Sequence, residues 1–124
     1  MQSEAQVDKK AKIIYCTLIG ELDIDESIRL SKSLREKATE LGFNVLYDAR
    51  KLHEPKSDMP VHDFTVKLSS IIDATVHRNV RVAFLYEPGN YDGYWQFYEM
   101  AAIDRGLEIK VFTGKKETIQ WLSD

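Results

Sequence analysis

Apolar and polar residues follow one another along this chain in two alternating patterns. The stretches 12–19, 43–49, 81–86 and 107–112 are short, apolar and rich in β-branched or aromatic residues, which predicts strands. The stretches between them carry apolar residues near helical spacing. Strands that alternate with helices build largely parallel sheets covered by those helices, so we expect an α/β domain.

The first predicted helix has clear start and stop signals. Asp23 is suited to cap its N-terminus because Glu26 follows three residues later, and Gly42 can adopt the left-handed conformation that ends a helix. Its predicted apolar stripe consists of Ile24, Ile28, Leu34, Ala38 and Leu41. Its predicted solvent side consists of Arg29, Lys32, Arg35, Glu36 and Glu40.

The remaining segments complete the predicted order of elements. Residues 1–10 are a polar arm or an antiparallel edge strand ahead of the first core strand. Charges and two prolines predict a loop over 50–60, followed by a helix to about Asp73. An aromatic-rich helix over 90–105 should end at Gly106. A final short helix should pin the C-terminus to the sheet through Ile119, Trp121 and Leu122.

Composition narrows the class of protein. A length of 124 residues with 44% hydrophobic content predicts a single domain with its own core. The net charge of −3, from 20 acidic and 17 basic side chains, gives no electrostatic footprint for nucleic acid or an anionic membrane. No apolar run has the length of a signal peptide core or a membrane span, so we expect a soluble cytoplasmic protein. The single cysteine, Cys16, lies in an apolar run and is expected to be buried.

Several core and turn positions carry a family resemblance. They include Gly20-Glu-Leu-Asp23, Val45-Leu-Tyr-Asp48, Val82-Ala-Phe-Leu85, Glu99, Ala102, Arg105-Gly106, Val111-Phe112 and Trp121-Leu122. From about Lys12 onward the chain resembles the SpoIIAA-like (STAS/SEC14-like) domains. The resemblance implies a mixed four- to five-stranded sheet packed with about four helices, and a role in switching or scaffolding through protein contacts.

The same resemblance implies where a phosphorylation switch would lie. In the sigma-factor antagonists of that group, the switch serine occupies an Asp-Ser-Ser-Gly-like turn after the strand that ends in aspartate. The matching loop here is 54–60, in which Ser57 is the only serine and the Ser-Ser-Gly motif is absent. A phosphate at a helix N-cap would meet free backbone N–H groups, so Asp48, Ser57 and Asp58 form a candidate switch or partner loop. The alternative is that Ser57 or Asp58 only caps the helix.

Asp48 also raises the possibility of a receiver-like phosphoacceptor. Asp48 is an acid at the end of a predicted parallel strand, Glu21 and Asp23 follow the preceding strand, and Lys115 follows the last one. In a receiver, carboxylates placed in this way hold Mg²⁺ and accept a phosphoryl group, and a lysine binds the phosphate. A receiver has an additional β-α unit before its acceptor strand, and this chain is short of one. We therefore expect Asp48 instead to accept hydrogen bonds from loop backbone N–H groups.

The sequence contains no recognisable catalytic or metal-binding motif. The three histidines, His53, His62 and His77, lack the spacing of a metal site, and neither a nucleophile elbow nor a phosphate-binding loop occurs. The prediction is a non-enzymatic protein without a metal or cofactor.

An excess of aromatic side chains marks a second candidate site. Tyr91, Tyr94, Trp95 and Tyr98 crowd one helix with more ring surface than a single stripe can bury. They could cover a homodimer interface, line a pocket for an apolar ligand, or wrap the edge of the core. The sequence thus predicts a cytoplasmic regulatory or protein-interaction module with an unknown protein partner, the alternative being a small apolar-ligand or lipid-binding protein.

Overall fold

The computed structural model describes residues 1–53, 80–88, 96, 99–100, 102–104 and 106–124. The elements with defined bounds are the strands β1 (Gln2–Asp8), β2 (Ile13–Glu21), β3 (Asn44–His53), β4 (Val82–Leu85) and β5 (Ile109–Phe112), and the helices α1 (Ile24–Leu41) and α2 (Lys115–Ser123). Residues 96, 99–100 and 102–104 are also helical and precede β5.

The strands form one mixed sheet in the order β1-β2-β3-β4-β5. β1 is antiparallel to β2, whereas β2, β3, β4 and β5 run parallel to one another. This confirms the α/β class, the largely parallel sheet and the antiparallel edge strand. The helix predicted to run to Asp73 lies outside the described residues.

Helices cover both faces of the sheet. On one face, Leu34 and Ala38 of α1 and the helical residue Ala102 join a core with Ile14 and Val45. On the other face, the buried side chains are Ile13, Leu46, Ala83, Leu85 and Leu122, the last of which comes from α2. Because β-strand side chains alternate between faces, each central strand contributes to both cores.

The predicted limits of α1 are confirmed. The Asp23 carboxylate accepts a hydrogen bond from the Glu26 backbone N–H at 3.0 Å, and Gly42 has a positive φ of 72°. Its buried side differs from the prediction, because Arg35, assigned to the solvent side, is only 1% exposed.

The buried stripe of α1 is rotated toward Arg35. Ser31, Leu34, Arg35 and Ala38 are all buried and have the i, i+3, i+4, i+7 spacing of one helix face. Leu41, predicted in the stripe, is 43% exposed in the last turn of the helix. Burial raises the pKa of the Tyr47 phenol beneath this helix, and the positive charge of Arg35 offsets part of that effect.

β3 is longer than the sequence pattern predicted. The loop prediction is wrong for residues 50–53, because the strand continues to His53 and pairs with β2 up to Glu21. A bulge in the β2–β3 register accommodates the extra residue, and Leu52 beyond it is 3% exposed. Because the residues around Leu52 are charged or polar, this part of the strand lacks the apolar pattern from which a strand is predicted.

Asn44, the first residue of β3, and Arg81, which directly precedes β4, hold the C-terminal end of α2. The Asn44 amide donates to the Leu122 carbonyl at 2.8 Å, and its oxygen accepts from the Arg81 backbone N–H at 2.9 Å. The Arg81 guanidinium donates to the carbonyls of Trp121 and Asp124 at 2.8 and 2.7 Å. The final carbonyls of a helix have no partner within the helix, so these bonds satisfy them. The predicted pinning of the C-terminus is confirmed by a separate contact, since Ile119, Trp121 and Leu122 pack in the apolar core over Leu46.

We expect Asn44→Ala to lower the free energy of unfolding by about 1–3 kcal/mol, because it leaves the Leu122 carbonyl and the Arg81 N–H without their partner. Urea denaturation at pH 7 measures this loss. The control is Gln120→Ala, which removes an exposed amide from α2 itself. Equal stability of the two variants would contradict the role of Asn44.

Candidate functional site

The candidate site lies toward the ends of the parallel strands, on the same face of the sheet as α2. Thr17, Asp48 and Leu85 are neighbours in the strand register, on β2, β3 and β4 respectively. Asp48 lies within β3 and not at its end, since the strand continues to His53. Its exposure is only 7%, so its carboxylate needs partners to compensate for lost hydration.

Asp48 has such partners on both oxygens. Oδ2 accepts from the Tyr15 hydroxyl at 2.6 Å and from the Arg50 guanidinium at 2.7 Å. Oδ1 accepts from Arg50 Nε at 2.9 Å and from the Arg50 backbone N–H at 3.2 Å. A carboxylate has about four acceptor positions, so these four bonds occupy its capacity.

Local backbone geometry explains how Arg50 reaches Asp48. Residues two apart on a regular strand share a face but stand roughly 7 Å apart along it. The bulge falls where β3 advances from Asp48 to Lys51 while β2 advances only from Thr17 to Ile19. The extra residue kinks the strand, and the Arg50 N–H turns back to the Asp48 carboxylate.

The electrostatics of the three groups are coupled. Burial alone would raise the pKa of Asp48, but hydrogen bonds from Arg50 and Tyr15 outweigh it and lower this pKa from 3.8 to about 2. Burial and the bond to Asp48 raise the pKa of Tyr15. The pKa of Arg50 is raised chiefly by its hydrogen bond to Asp48. Asp48 and Arg50 therefore form a charged pair at neutral pH.

An open cavity of about 330 Å³ lies beside this pair. It is lined by Thr17, Asp48, Arg50, Lys51 and Glu87. The Arg50 side chain is 38% exposed, against 10% for Asp48, so the guanidinium offers a ligand in the cavity more surface than the carboxylate does. A guanidinium has five N–H groups and Asp48 accepts from two of them, so the Arg50 side chain keeps donor capacity beyond its bonds to Asp48.

The geometry disfavours a receiver-like phosphoacceptor. The oxygens of Asp48 are occupied, and Asp23 caps α1. The Lys115 ammonium lies 5.3 Å from the centre of the Tyr15 ring, where it makes a cation–π contact. Among the residues that the structure describes, no three His, Cys, Asp or Glu side chains come together as a metal site.

The other predicted site residues lie elsewhere. Ser57, Asp58, Tyr91, Tyr94, Trp95 and Tyr98 lie outside the described residues, as do His62 and His77. The switch loop, the aromatic interface and the apolar-ligand pocket therefore stay predictions. His53 is an exposed residue at the end of β3. Cys16 is fully buried as predicted, and burial raises its thiol pKa to about 11.

Five residues of this site were not predicted from the sequence, namely Tyr15, Thr17, Arg50, Lys51 and Glu87. A weak signal existed for two of them. Tyr15 places a hydroxyl in an apolar strand, and Arg50 lies two residues after an acid that ends an apolar run. A buried polar group requires a partner, so those two groups could have been paired.

The depressed pKa of Asp48 makes a prediction about acid stability. Because its folded-state pKa is below the unfolded value of 3.8, its stabilisation is fully present well above pH 3.8 and is lost as pH falls through 3.8 toward 2. We expect this group to contribute about 2 kcal/mol to wild-type stability at pH 7. Asp48→Asn should remove that contribution, so the two proteins should converge in stability between pH 5 and pH 2.

Urea unfolding at a series of pH values tests this prediction. Asp104→Asn is the matched control, since it removes an exposed carboxylate from the helical residues before β5. Its stability difference from wild type should change little over the same pH range. A constant difference between wild type and Asp48→Asn from pH 7 to pH 2 would show that the carboxylate does not titrate as described.

Comparison with known proteins gives no family assignment. A scan against protein-family models found no match, and a search of curated proteins found none either. In the part of the chain that the structure describes, no helix is both long and apolar enough to cross a membrane.

Proposed function

We propose that this protein is a non-enzymatic regulatory module of the STAS/SpoIIAA-like kind, and that it binds a protein partner through the surface around Arg50. We call this surface the Arg50 surface; it consists of Thr17, Arg50, Lys51 and Glu87. The observation that carries the proposal is the occupied carboxylate of Asp48. The Asp48 carboxylate accepts two hydrogen bonds from the Arg50 side chain and so holds the guanidinium in place. The guanidinium is the more exposed of the two groups and is the one that contacts a ligand.

The charged pair gives this surface a fixed geometry. A free arginine side chain loses roughly 2 kcal/mol of conformational entropy when it is immobilised. The two side-chain bonds to Asp48 have already restricted the guanidinium before any partner arrives. Preorganised side chains of this kind reduce the cost of binding, and arginine is enriched at the energetic centres of interfaces.

The mixture of charges favours a protein partner over a nucleic acid. Lys51 and Arg50 supply positive charge, while Glu87 and the neutralising carboxylate of Asp48 balance it. A phosphate backbone would select a surface of one sign. A surface with both signs suits the complementary charges of a protein, which set the orientation of docking.

Site-specific photo-crosslinking in the native host tests the proposal. We expect a photoreactive benzophenone residue at Lys51 to capture a discrete partner, because this side chain is exposed beside Arg50. The same residue at Lys37 is the matched control, since it is exposed on α1, which covers the opposite face of the sheet. Mass spectrometry of the cross-linked band identifies the partner.

Adding Arg50→Gln to the Lys51 probe should reduce this cross-link about tenfold, which corresponds to a loss of roughly 1.4 kcal/mol in binding. Thermal unfolding of the doubly substituted protein checks that it remains folded. The proposal fails if Lys51 and Lys37 capture the same proteins, or if the Lys51 product is unchanged in the Arg50→Gln background.

A further inference from the structure

We infer that β1 is a self-association edge, at which two copies of this chain join their sheets through antiparallel β1–β1 pairing. The observation behind this inference is a difference between the two edges of the sheet. The β5 edge carries features that block strand addition, whereas the β1 edge carries few. The inference does not depend on the Arg50 surface.

The β5 edge is short and partly blocked. The strand has only four residues, Ile109–Phe112, and contains Lys110. The Val111 backbone N–H donates to the Glu99 carboxylate at 2.7 Å, so a side chain already occupies a donor of this edge. Short length, lysine and covering groups are the means by which natural sheets prevent edge-to-edge pairing.

The β1 edge is longer, contains no lysine, and has no covering strand among the described residues. The strand has seven residues, Gln2–Asp8, with neither lysine nor proline, and its register with β2 is continuous from end to end. Six of its seven residues are exposed, and Val7 is partly buried. Among the described residues β1 has β2 as its only neighbour in the sheet. Every second residue of such a strand directs its N–H and C=O away from the sheet.

The order of charges in β1 fits a second copy. A two-fold axis perpendicular to the sheet at Ala5 pairs all seven residues, so that Ala5 faces its own counterpart. Glu4 then faces Gln6 of the second copy, and Asp8 faces Gln2. The charged residues of β1 are therefore opposite neutral amides and not opposite each other. Moving the axis to Glu4 would set two glutamates face to face, which destabilises a strand pair.

The small side chains at the axis also permit close approach. Ser3, Ala5 and Val7 lie on one face of the strand, and Val7 contacts the core on the side of α1. Gln2, Glu4, Gln6 and Asp8 lie on the other face. The paired edges would form about six to eight backbone hydrogen bonds. An interface of this size is small, so we expect a dissociation constant on the order of 10–100 µM.

Disulfide trapping tests the register. In the full chain, Ala5→Cys places two thiols opposite each other at a Cα separation of about 4.5–5.5 Å, which a disulfide can bridge. Ser3→Cys is the matched control, because in this register two copies of residue 3 are about 13 Å apart along the strands. Under mild oxidation Ala5→Cys should give a covalent dimer, and Ser3→Cys should not. The native Cys16 is buried and should not react.

Sedimentation velocity over a range of concentrations tests the energetics. Ala5→Lys sets two ammonium groups face to face and should weaken the dimer at least tenfold. Gln6→Lys sets an ammonium opposite Glu4 of the second copy and should strengthen it several-fold. Gln120→Lys adds the same charge to α2 and should leave the dimer close to wild type. The gain expected from Gln6→Lys cannot result from misfolding.

The inference is overturned by a wild-type protein that stays monomeric to about 1 mM, well above the expected dissociation constant. It is equally overturned by a dimer that Ala5→Lys and Gln6→Lys leave unchanged, since another surface would then hold the copies together. Equal disulfide yields from Ala5→Cys and Ser3→Cys would exclude the register centred on Ala5.

Discussion

The buried carboxylate of Asp48 needs hydrogen-bond donors in place of water, and this need organises the sheet toward the carboxyl ends of its parallel strands. Asp48 is buried in the central strand β3 at the margin of the open cavity, and it stays charged there because Arg50 and Tyr15 both donate to it. Arg50 reaches it because β3 contains a bulge, and Tyr15 reaches it across the β2–β3 pairing. The same bonds orient the guanidinium toward the open cavity. The need to stabilise the Asp48 carboxylate thus links three features: the bulge in β3, the low pKa of Asp48, and the exposed guanidinium of Arg50.

The two ends of the sheet differ in the chemistry of their side chains. Where the parallel strands begin, Asn44 and Arg81 receive the last turn of α2, and Leu122 closes an apolar core over Leu46. Toward the other end the same face carries polar side chains, and the cavity beside Asp48 stays open. Apolar packing at one end stabilises the fold, and the polar side chains at the other end surround the cavity. Ligand sites in open parallel sheets characteristically lie beyond the carboxyl ends of the strands.

The sequence predicted the elements whose signals are local. The capping of α1 by Asp23, its end at Gly42, and the buried strand β4 all follow from short stretches of sequence. Two predictions failed because tertiary contacts outweighed local composition. The charges after Asp48 indicated a loop, yet pairing with β2 continues the strand to His53. Arg35 was assigned to solvent by its charge, yet it lies beside the buried Tyr47.

The site itself could be predicted only in part. Asp48 was recognised as a polar residue after an apolar run, but its partners were expected in a loop. They came instead from the neighbouring strand and from a bulge, and neither the β2–β3 register nor the bulge can be read from one strand alone. Lys51 reaches the cavity from β3, and Glu87 reaches it from the segment that follows β4. Side chains that meet through sheet register carry no signature in sequence spacing.

A carbon-13 NMR titration of the Asp48 side-chain carboxyl would test the central claim most directly. If Arg50 and Tyr15 hold the carboxylate as described, its resonance should remain at the ionised position from pH 7 down to pH 4, with a midpoint near 2. In the Arg50→Gln protein the midpoint should move upward. A wild-type midpoint near the ordinary value of 3.8 would contradict the account, because the carboxylate would then be free to serve another role.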